Sequence, residues 1–426
     1  MNPSRTVDQD DVLRARTMLL ASGRRTYQEE VDAYRVLAQV SPAAYLPRLA
    51  EALQRLSYDT SHGKHRPNAL ALCEEAVAAA RAVDPADPRR ADVLVRALDS
   101  CQSRLYAAGR RTEGLALRAE MLAVDRAQAE RSGSTPVRGL GTWAAGLSEE
   151  GRHAEAADAQ TERLAALLPG GPRAGALAWS LIEWAATLAD AGRADEALAA
   201  FGTLVDLEAE EFADNREAAA HHFHVLVRHA ELLDRYGRGA PAAAARQSAL
   251  AAVTELTTLG RTVSSGYQSA FWAVLLSWSA ADSERLASDG PYPASGAGPR
   301  GWSADTRQRY FDSLATLRTQ VDALAEPAAE DPGRYLAELL RLHRVLTVRS
   351  AVRWQHRTHL FAEQVEPLFD EGVELARQLA DHNPAVGRRT LAEVLIDRSA
   401  FHTTTGRYRA ARDDFREALG HLGEDH

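Results

Sequence analysis

The histidines are the first residues in this chain whose type and spacing could do chemistry. His221-His222-Phe223-His224 is followed by His229. His221 and His224 stand three apart and share one face of a helix, as two metal ligands would. His356, His359 and Glu363 share a face at spacings of three and four. Neither group matches the His-Glu motif of metalloproteases, and a catalytic metal needs a third ligand and a water position. The expectation is therefore ordinary surface or half-buried histidine, with no metal and no cofactor. Cys73 and Cys101 each lie 14 residues from a turn near residue 87, on helices that should run antiparallel. They could bridge only if their Cα atoms come within about 7 Å. Two small buried apolar side chains is the plainer reading.

Other catalytic signatures are missing from the sequence. There is no Gly-x-Gly-x-x-Gly, no Walker-type phosphate loop and no Gly-x-Ser-x-Gly elbow. The run Gly290–Gly301 is rich in Gly and Pro, but no strand precedes it, so it reads as a loop and not a phosphate cradle. The acid pairs Glu149-Glu150 and Asp413-Asp414 are expected at turns or on exposed helix faces. No enzyme is expected.

The elements that must position these residues are marked by regular punctuation. Gly-Arg recurs at Gly23, Gly109, Gly151, Gly192, Gly237 and Gly406, with Gly63-Lys64 as a variant. From 23 through 237 the spacings are 40, 46, 42, 41 and 45 residues, which is the mark of a repeat architecture. Pro42, Pro85, Pro88, Pro136, Pro169 and Pro172 fall between these glycines, and Pro327, Pro332 and Pro384 recur later. Each unit thus reads as helix, Gly turn, helix, Pro break. The spacing predicts first helices near 7–21, 43–58, 91–108, 136–150, 173–191 and 215–236. Their partners fall near 27–40, 67–83, 112–131, 153–168, 194–212 and 240–259. No segment alternates with period two, so no strand is expected.

After residue 260 the pattern loosens. Residues 263–286 read as helical and hold the apolar run 270–281, which is expected to be buried all round. Trp272 and Trp278, six apart, should point to different faces. The stretch 286–303 holds four Gly and three Pro and reads as an enlarged loop inside a seventh hairpin. A helix follows near 304–325, and 333–362 reads as helical, either one long helix or two abutting. A further helix starts near Pro367, and a ninth hairpin joins 386–405 to 408–422. The expected layout is repeats 1–6 plus the first helix of hairpin 7 over 1–286, a Gly/Pro-rich flexible loop over 287–303, and C-terminal repeats over 304–426.

These units resemble the tetratricopeptide repeat family in a long-period form. Ala185, Gly192, Glu196-Ala197 and Phe201 fit its pattern in the fifth unit. Ala144, Gly151 and Glu155-Ala156 fit it in the fourth, Ala230, Gly237 and Ala242 in the sixth, and Gly406, Ala411, Phe415 and Ala418 in the ninth. The resemblance is good over 90–260 and 365–422. It implies an all-α, right-handed superhelical α-solenoid of about nine hairpins without β-sheet. It also implies a concave groove, lined by first helices, that binds a peptide or protein. The outward positions of that groove are Arg96, Asp99, Ser103, Arg138, Trp179, Ile182, His224, Val227, Glu231 and Arg235. Arg there could clamp a carboxylate or phosphate, and Trp179 could supply an aromatic platform.

Composition narrows the partner class. The 426 residues carry a net charge of -9, and no Lys/Arg block stands apart from interleaved acids, which argues against nucleic acid. Of the 50 basic residues only Lys64 is Lys, leaving 49 Arg, a bias that reads as genomic and not chemical. The longest apolar run is too short for a bilayer, which needs about 20 residues, and no signal-peptide stretch is visible. Two Cys in so long a chain fit a reducing compartment, so the expected place is the cytoplasm. The expected function is a non-catalytic scaffold or adaptor for a protein or peptide partner. The alternative is a sensor of a small-molecule ligand or signal peptide, with the 287–303 loop as a lid; an unrecognised enzyme ranks below both.

Overall fold

The computed structural model describes residues 7–21, 25–61, 66–133, 138–168, 174–215, 218–259, 266–286 and 290–424. All regular structure among them is helical. The helices are α1 (Gln9–Leu20), α2 (Tyr27–Val40), α3 (Pro42–Ser61), α4 (Arg66–Arg81), α5 (Arg90–Ala107), α6 (Arg111–Ser132), α7 (Arg138–Glu149), α8 (His153–Leu167), α9 (Ala174–Asp190) and α10 (Ala194–Asp214). They continue as α11 (Ala219–Arg235), α12 (Gly239–Leu259), α13 (Gly266–Ser279), α14 (Ala281–Leu286), α15 (Ala304–Glu330), α16 (Pro332–Trp354), α17 (Thr358–His382), α18 (Pro384–Thr404) and α19 (Tyr408–Leu422). This is an all-α solenoid-type architecture of repeated helical hairpins. Up to α12 the described helices match the sequence expectation to within a few residues.

The Gly-Arg punctuation has a geometric cause. Gly109, Gly151, Gly192, Gly237 and Gly406 all sit at φ between 71° and 76°, where a side chain is disfavoured. The Arg that follows donates its N–H back to the helix it leaves, as in Arg193 N to Leu188 O at 2.9 Å and Arg238 N to Leu233 O at 2.8 Å. This closes the helix C-terminus in the manner of a Schellman motif. At two of these turns the Arg side chain then reaches two acids. Arg193 holds Glu196 at 2.7 Å, on the first turn of its own second helix, and Asp158 at 2.9 Å, on the previous hairpin. Arg110 repeats this with Glu113 at 2.6 Å and Glu74 at 2.8 Å. Arg238 reaches back to Asp195 at 3.2 Å, and Arg407 pairs with Glu366. The Arg that composition alone assigned to genomic bias is thus a staple between hairpins. Gly23-Arg24 and Gly63-Lys64 lie outside the described residues.

The chain forms two compact units, one of residues 1–146 with 303–305, the other of 147–302 with 306–426. In the first, α1 to α6 pack in order, and α3 also touches α5. Its core joins Leu49, Leu53, Cys73, Val77, Leu94, Leu98 and Cys101. In the second, α8 to α12 also pack in order, but the order then changes. The last hairpin, α18 with α19, stacks on the hairpin of α11 and α12, and α13 packs on α11, α16 and α18. Phe223 of α11 meets Phe415 of α19 at 5.4 Å, and Trp272 of α13 meets Phe401 of α18 at 6.0 Å. Helices α13 to α17 are therefore intercalated between two hairpins that stack directly.

Several local expectations are corrected. The helical stretch 263–286 is broken at Ala280 into α13 and α14, while 333–362 takes the second of its two expected forms, two abutting helices parted by a turn at 355–357. Pro367 does not start a helix but lies within α17, and Pro327 lies within α15. Each of these prolines removes one backbone donor without ending the helix. The apolar run is buried as expected: Trp272 and Trp278 are both in the core and join different clusters, facing Phe369 and Phe201 respectively.

The Gly/Pro-rich segment is irregular, yet over 290–303 it is packed. Ala294, Ser295 and Trp302 are buried. Gly296, at φ 74°, lies so close to α9 that a Cβ there would stand 2.7 Å from Ala186 Cβ and 2.8 Å from Ile182 O. Arg285 ties the segment down through Ser295 at 3.1 Å and Asp190 at 2.6 Å. Below it Glu284, fully buried, pairs with Arg349 at 2.7 Å and accepts the Tyr310 hydroxyl at 3.0 Å.

Candidate functional site

The residues expected in a groove fall into both units. In the first unit Arg96, Asp99 and Ser103 are exposed along α5. Arg96 pairs with Glu51 at 3.3 Å, and Asp99 accepts from Gln102 at 3.2 Å. Arg138 opens α7, and its side chain lies outside the described residues. The rest belong to the second unit and differ in kind. Ile182, His224 and Val227 are core residues. The reason is the covering layer: segment 290–302 lies on α9, and α18 lies on α11, so positions that face outward in a simple repeat face a second set of helices here. Trp179 is half-buried, with its ring against Phe271 at 5.6 Å and Tyr267 at 6.0 Å. Only Glu231 and Arg235, on the last turn and a half of α11, reach an open cleft.

That cleft is a polar cavity of about 360 Å³ within the second unit. Its walls come from α11 (Arg228, Glu231, Asp234, Arg235), α12 (Arg246), the α13–α14 corner (Ser279, Asp282, Ser283), α16 (Arg344), α18 (Arg389, Ala392, Glu393, Ile396) and α19 (Leu422). Five arginines thus face four acids in the walls, and Asp397 and Glu424 also bond two of these arginines. The charges interlock. Arg246 holds Asp234 at 2.6 Å and Glu424 at 2.7 Å, and Gln247 donates to the Glu424 carbonyl at 3.0 Å. Arg344 bonds Asp397 at 2.8 Å and Ser279 at 3.2 Å. Arg235 meets Asp282 at 3.0 Å, and Arg389 meets Glu393 at 3.3 Å. Burial works against the Arg344 charge, but Asp397 outweighs it and holds the guanidinium above its ordinary range.

Arg228 is the exception in this network. It is 3% exposed, and its guanidinium carbon lies 4.4 Å from the Trp278 ring centre. Nη1 donates to Glu231 at 2.7 Å. Nε and Nη2 have no acceptor among the described residues. Burial pushes this guanidinium below its ordinary range, with Glu231 pulling the other way. The groove pattern does not include Arg228, since it falls on the packed side of α11. Its signal in the sequence is a charge set inside Val225-Leu226-Val227-Arg228-His229-Ala230, where a solvated face would not put one.

The histidines are packing residues. His221 lies against Phe271 at 5.0 Å and Tyr267 at 5.4 Å, His222 stacks on Phe212 at 5.5 Å, and His229 stacks on Phe201 at 5.8 Å. His224 shares a hydrogen bond of 3.2 Å with Thr404. Burial pushes His221 down to about 4 and holds His224 well below its ordinary range. His356 lies in the turn after α16, so it does not share a helix face with residues of α17; the side chain of His359 lies outside the described residues. Among the described residues no three His, Cys, Asp or Glu side chains are grouped to hold a metal ion.

Cys73 and Cys101 are buried free thiols. Cys73 Sγ lies 2.8 Å from Ser57 Oγ, and burial pushes the Cys101 thiol up to about 12, with Cys73 adding to it. Two acids expected on exposed faces are buried: Glu149, which accepts from Thr306 at 3.2 Å, and Asp414, which pairs with Arg398 at 2.7 Å.

No protein-family model and no curated protein sequence matches the chain. Among solved structures it is similar to a circular tandem repeat protein with novel repeat topology and enhanced subunit contact surfaces, at 14% identity over 97% of both chains with a TM-score of 0.19. It is also similar to yeast Tom70, at 9% identity over 88% of this chain and 96% of that one, with a TM-score of 0.20. Scores this low carry no argument, and the fold assignment rests on the helices themselves. No helix among the described residues is long and apolar enough to cross a membrane.

Proposed function

We propose that the chain is a non-catalytic helical-repeat scaffold of tetratricopeptide type that takes a segment of a protein partner. The observation that carries this reading is the cleft beside α11. It is where first-helix positions, Glu231 and Arg235, meet an open cavity instead of a covering layer. Its rim is polar and accessible, with Asp282 and Arg389 both exposed. Its ionisable groups hold one another in fixed ion pairs, an arrangement suited to display and not to proton transfer. A rim of this kind gives specificity to an interface through charge complementarity.

The test is affinity capture from the native host with the double variant Arg235→Glu/Arg389→Glu. Both side chains are at the rim, so helicity by circular dichroism should be unchanged. A partner captured by the wild type should be lost or reduced at least about tenfold, the usual scale of charge reversal at an interface. Capture of the same partner in equal amount by the variant rules out the cleft as its seat.

A further inference from the structure

Arg228 carries two more donors than its surroundings use. The side chain is almost wholly buried, and the Trp278 ring covers one face of the guanidinium. Nη1 is committed to Glu231, while Nε and Nη2 are enclosed without an acceptor among the described residues. Buried donors are nearly always satisfied, so a charged side chain kept in this state points to a group that arrives from outside. Nε and one Nη form the edge of a guanidinium that meets both oxygens of a carboxylate through two parallel hydrogen bonds.

The cleft that Arg228 lines selects the charge of that group. Its five arginines face four wall acids, and Asp397 and Glu424 bond Arg344 and Arg246 as well, so the walls hold no surplus positive charge for a multiply charged anion. A phosphate group, with about 1.5 to 2 negative charges at neutral pH, would meet stronger repulsion from the wall acids than a carboxylate does. The volume of about 360 Å³ lies in the range of sites that enclose small molecules.

We propose that this cleft is a carboxylate-binding site, with Nε and Nη2 of Arg228 as its paired donors and Trp278 as its backing. The carboxylate comes either from a small free acid or from an acidic side chain of the partner segment. The location of the site rests on the scaffold reading; its chemistry does not.

Titration calorimetry on the full chain tests it, with butyrate and benzoate as carboxylates and butyramide and inorganic phosphate as comparisons. A short Glu-containing peptide and its Gln counterpart form the second arm. The expected result is saturable binding at one site per chain for a free acid or for the Glu peptide, and none for butyramide or the Gln peptide. Arg228→Lys, which keeps the charge but loses the fork, weakens binding at least about tenfold. Glu231→Gln leaves Arg228 in place, releases Nη1 and strengthens it. Saturation by butyrate assigns the site to a free acid; saturation by the Glu peptide alone assigns it to a partner side chain. The proposal is overturned if no carboxylate saturates either the wild type or Glu231→Gln, if butyramide binds as well as butyrate, or if Arg228→Lys binds undiminished. The two readings fail separately. Rim-sensitive partner capture in a chain that no carboxylate saturates sinks the carboxylate site and leaves the scaffold. Butyrate binding without any rim-sensitive partner does the reverse.

Discussion

Gly296 and Gly192 offer a matched experiment on the packed segment that follows α14. Both glycines have φ of 74°. At Gly192 an added Cβ meets nothing within 4 Å, whereas at Gly296 it meets Ala186 Cβ at 2.7 Å, Ile182 O at 2.8 Å and Glu183 Cα at 3.2 Å. Gly192→Ala therefore reports the left-handed backbone alone, about 1–2 kcal/mol. Gly296→Ala adds the overlap with α9, where the obstacles are mostly backbone and cannot rotate away. Overpacking of this kind adds about 1–3 kcal/mol, for a total of about 2–5 kcal/mol. Urea unfolding followed by tryptophan fluorescence gives both numbers, and the useful quantity is their difference. A difference within about 0.5 kcal/mol of zero, the usual scatter between independent sites, would mean that the segment does not rest on α9. The idea of 287–303 as an open lid would then regain ground.

Other consequences are as direct. His221, His222, His224, His229, His343 and His402 are all held below their ordinary range by burial. A depressed histidine favours the fold above its unfolded value and ceases to as the pH falls through the folded one. With His221 near 4 against 6.5, stability should fall between about pH 6.5 and pH 4, on the order of 3 kcal/mol from this group alone. His221→Phe should flatten that slope, and equal slopes would contradict the assignment. Arg246→Met, which strands Asp234 and Glu424, should lower stability by about 2–4 kcal/mol, the scale of a broken buried pair; Arg193→Met, on an open surface, should lower it by less than about 1 kcal/mol. Equal urea midpoints for the two variants would refute that ranking. The Cys101 thiol, pushed up to about 12, should contribute no measurable reaction with an aromatic disulfide reagent at pH 8 until the chain is unfolded.

The hairpins were legible because their cause is local. A positive φ after each first helix needs Gly, and the Arg beside it finds acids at fixed offsets, so the repeat is written into nearest neighbours. The packing of the second unit beyond α12 was not legible, although its closing hairpin was, because α18 and α19 return to α11 and α12 from far along the chain. That return also decides which groove residues survive. A repeat pattern shows which face of α11 is free within its own hairpin, and Glu231 and Arg235 on that face line the cleft. It cannot show that α18 covers His224, or that segment 290–302 covers Ile182. The buried Arg349 was invisible for a related reason: in a chain with 49 Arg of its 50 basic residues, the few that are buried do not stand out by type, and only the apolar setting of Arg228 gives it away.

The return of α19 to α12 has a consequence for biosynthesis. Arg246 and its partner Glu424 are 178 residues apart. At a synthesis rate of about 5–20 residues per second, roughly 10–40 s separate the emergence of one from the other. During that interval Phe223 and Trp272 lack Phe415 and Phe401, so an apolar stripe of α11 and α13 stands uncovered on the nascent chain. The second unit can reach its final state only after the last hairpin has left the ribosome, and the uncovered stripe is where a chaperone would engage the unfinished chain.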